Sequence, residues 1–318
     1  MKMKKLLYWL IIVLPLLASI LLPATPVQAQ TTETLRPDAA GDYQEWETLA
    51  GSSHWEATSD ISNTTYIQTG NTSAPRDIQH LADPSFYSGS RINSVTYYVT
   101  ANASGSGAGE SVDMIAKLGA SEQVVDSKVS ITRGSFNDYD SGAQTTAPDG
   151  ASWTYQKVTD LQAGIAVNTL GSGETLSVSE IWVVVDYSLP SISNTPNTYA
   201  FGVVSEGSTS ETGLTHFEVT NNSGYAINIT IGGTDMTGGV IWTLSDNAIP
   251  GTDTYGLKAG LAGTSYNITV MKNSPYNILI SNLADSSSQQ WGLQLLAPTS
   301  FTGGGLVSGN VTLTATQA

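Results

Sequence analysis

The chain has 318 residues, with 12 Lys+Arg against 27 Asp+Glu and a formal net charge of −15. That acidity disfavours nucleic acid and anionic lipid as partners. The absence of cysteine excludes thiol nucleophiles, thiolate zinc sites, iron–sulfur clusters and disulfides.

Residues 1–29 read as a secretory leader. Lys2, Lys4 and Lys5 form a basic start, Leu6 to Leu22 an apolar run, and Val27-Gln28-Ala29 a small-x-small cleavage site. Pro15 interrupts the apolar run, and Pro23 and Pro26 follow it, which favours a cleaved leader over a membrane anchor. Cleavage removes three lysines and no acid, leaving 9 Lys+Arg against 27 Asp+Glu and a net charge near −18. The C-terminal VTLTATQA has neither an apolar span nor a basic stop. The expectation is a secreted, extracellular chain without stable membrane insertion.

After the leader, helical periodicity gives way to alternation. Ser94–Thr100, Val112–Leu118 and Ile181–Tyr187 each alternate with period two, as half-buried strands do. A single helical turn is expected at Thr159–Ala163 with Thr159 as its cap. Ser188–Thr198, SLPSISNTPNT, holds two prolines and reads as a linker. Beyond it, strands are expected at Phe217–Thr220, Tyr225–Ile231, Val240–Leu244, Thr264–Met271, Tyr276–Leu283, Gln290–Leu296 and Asn310–Ala315. Asn221-Asn222-Ser223-Gly224, Gly232-Gly233, Pro250-Gly251 and Gly303-Gly304-Gly305 supply turns. Seven strands in about 120 residues match an immunoglobulin-like count. The last strand lies behind a Gly-rich loop and is expected to pair within its own sheet.

The fold class is therefore all-β, with two β-sandwich modules after the leader: residues 30–187 jelly-roll-like, 188–198 a linker, and 199–318 immunoglobulin-like. In the second module, Tyr199-Ala200-Phe201-Gly202-Val203-Val204, Gly207 and Phe217-Glu218-Val219-Thr220-Asn221-Asn222 resemble the immunoglobulin-like repeats of bacterial surface proteins and of the abnormal-spindle/Hydin class. The resemblance implies scaffolding or adhesion. In the first, Trp153-Thr154-Tyr155, Leu161 to Val167 and Ile181-Trp182-Val183-Val184-Val185-Asp186-Tyr187 resemble jelly-roll modules of secreted bacterial proteins and phage structural proteins. That fold serves lectins, capsids and enzymes alike.

Candidate chemistry is sparse. Three histidines, His54, His80 and His216, occur without a GxSxG elbow, HExxH or HxH. The acids Asp38, Asp42, Glu45, Glu47, Glu56 and Asp60 are dense early in the chain, but a glycosidase needs two of them to converge in a groove. Asn137-Asp138-Tyr139-Asp140-Ser141-Gly142 offers alternating oxygens with Asp149 downstream. Calcium is the cation those hard oxygens would suit, through Asp138, Asp140 and Asp149, although the spacing is not an EF-hand. Trp46 and Trp55 lie in a polar, acidic stretch and are the expected exposed aromatics for a glycan. Trp182 alternates out of phase with Ile181, Val183 and Val185, while Trp242 and Trp291 are expected in the core. The expected function is non-catalytic: a structural or adhesive protein of the cell surface, matrix or appendage, with other surface proteins, further copies of itself or glycans as partners. A carbohydrate-binding module protein is the alternative, and a secreted hydrolase a third.

Overall fold

Two 14-residue strands organise the first half of the molecule. A computed structural model describes residues 31–50, 53–106 and 109–318. The leader, 1–29, lies outside them. In chain order the first eleven strands are β1 (Thr31–Leu35), β2 (Pro37–Gln44), β3 (Glu47–Ala50), β4 (Tyr66–Thr69), β5 (Arg76–Leu81), β6 (Arg91–Ser104), β7 (Ser111–Leu118), β8 (Ser121–Ser130), β9 (Asn137–Gln144), β10 (Leu161–Thr169) and β11 (Thr175–Ser188). One sheet has the order β3-β4-β11-β6-β9, with β1 also on β11; the other is β2-β5-β10-β7-β8. From β4 onward, the eight strands divide into β4-β11-β6-β9 and β5-β10-β7-β8. These are the two interlocked four-stranded sheets of a jelly roll.

The core lies between the sheets. From β6 it takes Val95, Tyr97, Val99, Ala101 and Ala103; from β11 it takes Leu176, Val178, Ile181, Val183 and Val185. The inward set of β11 changes parity between Val178 and Ile181, and the pairing with β6 shifts register at Val178/Glu180. That bulge lets one strand keep apolar residues inward across an odd spacing. The extra residue, Ser179, is buried and donates to Asn63 Oδ1 at 2.7 Å.

Two short helices close the sandwich. Helix α1 (His54–Ser59) starts at Ser53, whose hydroxyl accepts from Glu56 N at 3.3 Å and donates to Glu56 Oε2 at 2.9 Å. It fills the Ser-x-x-Glu pattern of a helix start, in a stretch that reads as loop from composition. Helix α2 (Tyr155–Thr159) is capped by Thr154, which accepts from Lys157 N at 3.3 Å. The helical turn expected at Thr159–Ala163 thus sits earlier: Thr159 ends it, and β10 begins at Leu161.

The second half holds β12 (Ile192–Thr195), β13 (Thr209–Glu211), β14 (Phe217–Asn221), β15 (Ile227–Gly233), β16 (Thr237–Gly238), β17 (Thr243–Leu244), β18 (Thr254–Leu261), β19 (Ile268–Thr269), β20 (Asn277–Leu283), β21 (Ser288–Leu296), β22 (Val307–Ser308) and β23 (Val311–Gln317). Part of the expected linker is therefore strand, because β12 pairs with β14 from Ile192↔Asn221 to Thr195↔Glu218. The larger sheet runs β12-β14-β21-β18-β17, with β13 also on β21 and β19 on β18; its first four strands follow the order of one immunoglobulin-type sheet. The facing sheet is β20-β15-β23, so its middle strand is β15, with β20 as an extra neighbour. The final strand stays in its own module, paired with β15 from Ile227↔Gln317 to Gly233↔Val311. Phe217 and Trp291 stack at 4.6 Å in a core that also holds Trp242 and Tyr255.

Strand β18 escapes a reading by alternation because Gly256 and Gly260 break its apolar pattern. Both positions pass close to backbone: an added Cβ would meet Ala248 O at 2.7 Å and Ser265 O at 2.4 Å.

Asn221, fully buried, ties the turn after β14. Its amide donates to Tyr225 O at 2.7 Å and Leu283 O at 2.9 Å and accepts from Ser223 N at 2.9 Å. Asn221→Ala leaves three buried backbone groups without those bonds. The expected loss is about 2–4 kcal/mol in chemical denaturation of the second module, against about 1 kcal/mol or less for Asn222→Ala at the exposed neighbour.

Candidate functional site

The same β6–β11 register that fills the core sets a second row of side chains on the outer face. Trp182 lies directly opposite Tyr98, and their rings stack at 5.0 Å with planes 6° apart. The Arg36 guanidinium lies 5.5 Å from the Trp182 ring and pairs with Glu180 Oε2 at 2.9 Å. The result is a ladder of carboxylate, guanidinium, indole and phenol that runs from the residue after β1 across β11 and β6. Stacking and cation–π contacts fix these side chains without a covering layer. On the other flank, Asp140 of β9 lies opposite Tyr98, and Asp138 lies opposite Thr100 and accepts its hydroxyl at 2.6 Å. Trp182 and Tyr98 are both partly exposed. This face combines rigid aromatic surface with charged and hydroxyl groups, the composition of a contact surface.

Trp46 is a correction to the sequence reading. It is 3 % exposed and belongs to the jelly-roll core. Its indole N–H donates to Pro75 O at 3.1 Å, so it has no free ring face for a sugar. Trp55 is on α1 and partly exposed. The two do not form a paired platform.

The calcium expectation meets a different geometry. Asp138 and Asp140 stand on the extended strand β9 rather than in a ligating turn, and Asp140 accepts from Gly142 N at 2.9 Å. Asp149 pairs with Lys157 Nζ at 2.8 Å. That ammonium, with Ala151 N, holds the Asp149 carboxyl below its ordinary value, and it takes the place beside Asp149 that a cation would need. Among the described residues, no three His, Asp or Glu side chains gather to hold a metal ion.

Four of the early acids are likewise engaged one by one. Asp42 pairs with Lys117, Asp38 with His80 at 3.2 Å, and Asp60 with Thr65 Oγ1 at 2.6 Å. Glu45 accepts from Arg76 N at 2.8 Å. His216 packs edge-on against Tyr199 and Phe217, each at 4.7 Å.

A polar cluster sits inside the sandwich. Strand β5 alternates so that Asp77 and Gln79 point inward with Leu81. The fully buried Asp77 carboxylate accepts from His54 Nδ1 at 2.6 Å, from the Gln79 amide and from Trp46 N at 3.4 Å. It pins α1 and the β2–β3 connection to β5. Burial pushes its carboxyl up to about 6, against the downward pull of His54 and the other two donors.

No protein-family model matches the chain, and no curated protein matches it.

A carboxyl raised from 3.8 to about 6 by folding contributes stability below pH ~4 that is lost as pH rises through 6. The melting temperature of the native chain should therefore fall, relative to Asp77→Asn, as pH rises from ~4 to ~7. Parallel melting curves for the two proteins over that range would contradict the buried, raised carboxyl.

Proposed function

We propose that this chain is a secreted, non-catalytic protein of the cell surface that acts by structural contact or adhesion. The observation that carries this reading is the Arg36–Trp182–Tyr98 ladder on the outer jelly-roll face. It is rigid and polar-flanked, and the core does not use it. The leader pattern and the low charge content fit an extracellular setting. The junction between the modules adds stiffness. Gln317 N donates to Gly89 O at 2.9 Å, Tyr87 Oη to Ala315 O at 3.1 Å and Tyr225 Oη to Ser188 O at 2.9 Å. Two sandwiches joined in this way transmit load between a surface and whatever the aromatic face holds.

A glycan is the second reading of the same face. Aromatic rings flanked by the exposed Asp138 and Asp140 match the alternation of apolar C–H and hydroxyl edges on a pyranose.

Binding to isolated envelopes of the producing cells tests the proposal. Trp182→Ala should lower the retained fraction by about fivefold or more while the cooperative melt persists. Retention equal to that of the native chain would overturn the aromatic face as the contact. Competition by soluble envelope polysaccharide, but not by envelope protein, would select the glycan reading.

A further inference from the structure

Strand β15 begins at the module junction, where Ile227 pairs with Gln317, and ends at Gly233, at the far end of the second sandwich. Loops gather at that far end. Gly239 N donates to Leu306 O at 3.0 Å, Thr299 N to Gly251 O at 2.9 Å, Gly207 N to Pro298 O at 2.7 Å and Phe301 N to Glu206 Oε1 at 2.9 Å. Beneath them Trp242 and Phe301 stack at 5.0 Å, so the loops stand on a packed base. Four large aliphatic side chains project from them: Val203 fully exposed, Leu306 at 90 %, Ile249 at 64 % and Ile241 at 63 %. Single exposed aliphatics are ordinary; four at one end of a module mark an interaction site.

The molecule also carries a matching recess. Tyr87, Leu189, Pro190, Ile192 and Leu313 line a shallow apolar groove of about 330 Å³ at the module junction, and no acid lines it. Arg91 lines a second recess at the same junction, with Tyr225 and Gln317; its guanidinium is 5.7 Å from the Tyr225 ring, and Tyr225 bonds to Ser188, the residue before Leu189. The tip bears acids instead: Glu206 accepts from Phe301 N, and Asp253 accepts from Thr302 N at 2.8 Å. In so acidic a chain, an acid-edged apolar tip is repelled by most of a second copy's surface, but not by an acid-free groove beside an arginine.

We propose that the apolar tip of one copy seats in the junction groove of a second copy, with Glu206 and Asp253 facing Arg91. Tip and groove are different surfaces, so the contact is heterologous. The pair keeps one unused tip on one copy and one unused groove on the other, and the assembly grows head to tail rather than closing as a dimer. This contact is separate from the aromatic face, and either can fail alone.

Sedimentation of the full secreted chain over rising concentration is the test, with Leu306→Asp/Ile241→Asp as the tip variant and Leu189→Asp as the groove variant. All three positions are exposed, and Leu306→Ser/Ile241→Ser is a milder second tip variant. The native chain should show a mass that climbs with concentration, and each variant should associate at least about tenfold more weakly. A mixture of tip and groove variants should form one-to-one pairs that grow no further, since each supplies the half the other lacks. A native chain that stays monomeric, a tip variant that assembles like the native chain, or a mixture that never pairs would each overturn the proposal. So would a native chain that stays monomeric yet binds phosphatidylcholine vesicles through Leu306, which would give the tip to lipid.

Discussion

The antiparallel pairing of β6 with β11 is the constraint on which the rest of the molecule depends. Thirteen residue pairs run from Thr175↔Ser104 to Ser188↔Arg91. On the inner face this ladder supplies the centre of the jelly-roll core; on the outer face it sets Trp182 against Tyr98. Because side chains alternate with period two, a slip of one residue would exchange these roles, burying the indole and exposing Val183 and Val185. The bulge at Ser179 is part of the same solution, since it absorbs the one residue by which the apolar pattern of β11 is out of step. The ladder also reaches the second module: its last pair holds Ser188, which accepts from Tyr225, and Arg91, which lies over the same tyrosine ring.

Polar side chains in this protein mostly serve geometry. Asp77 fastens a helix to a strand inside the core, Asn221 replaces missing backbone bonds at a turn, and Lys157 holds the loop that carries Asp149. A fully buried carboxylate is stable here only because three donors converge on it, and removing one partner is costlier than replacing the whole group. Asp77, Asn221 and Lys157 thus hold loops and helices in place.

The architecture was largely legible in the sequence because its strands alternate cleanly. Ser94–Thr100 and Ile181–Tyr187 read as strands, and both lie within the longest ladder. The out-of-phase position of Trp182 placed it on the face opposite Ile181, Val183 and Val185, but with Val184 on the same face it left open whether that face was outer or a second buried layer. What sequence could not supply was its partner, since Tyr98 lies more than eighty positions away and only register brings them together. Trp46 misled for a related reason. Its neighbours are acidic and polar, yet the chain there passes between the sheets, and burial follows the path of the backbone rather than local composition. The aspartates of β9 misled because Asp, Asn, Ser and Gly favour turns, whereas pairing with β6 draws them into a strand. Asp77 and Gln79 went unread, because strand β5 carries polar residues on both faces and nothing local says which face is inner.

Two surfaces with different chemistry follow from the fold: a stacked aromatic face on the jelly roll and an aliphatic tip on the distal sandwich. The central claim is that the first of these is where the chain meets the surface it serves. Hydroxyl-radical footprinting of the chain free in solution and bound to isolated cell envelopes tests it directly. The account predicts that oxidation of Trp182 and Tyr98 drops on binding, while Tyr43, on the opposite sheet, reacts equally in both states. Equal oxidation of Trp182 and Tyr98 in the two states, with protection elsewhere, would contradict it.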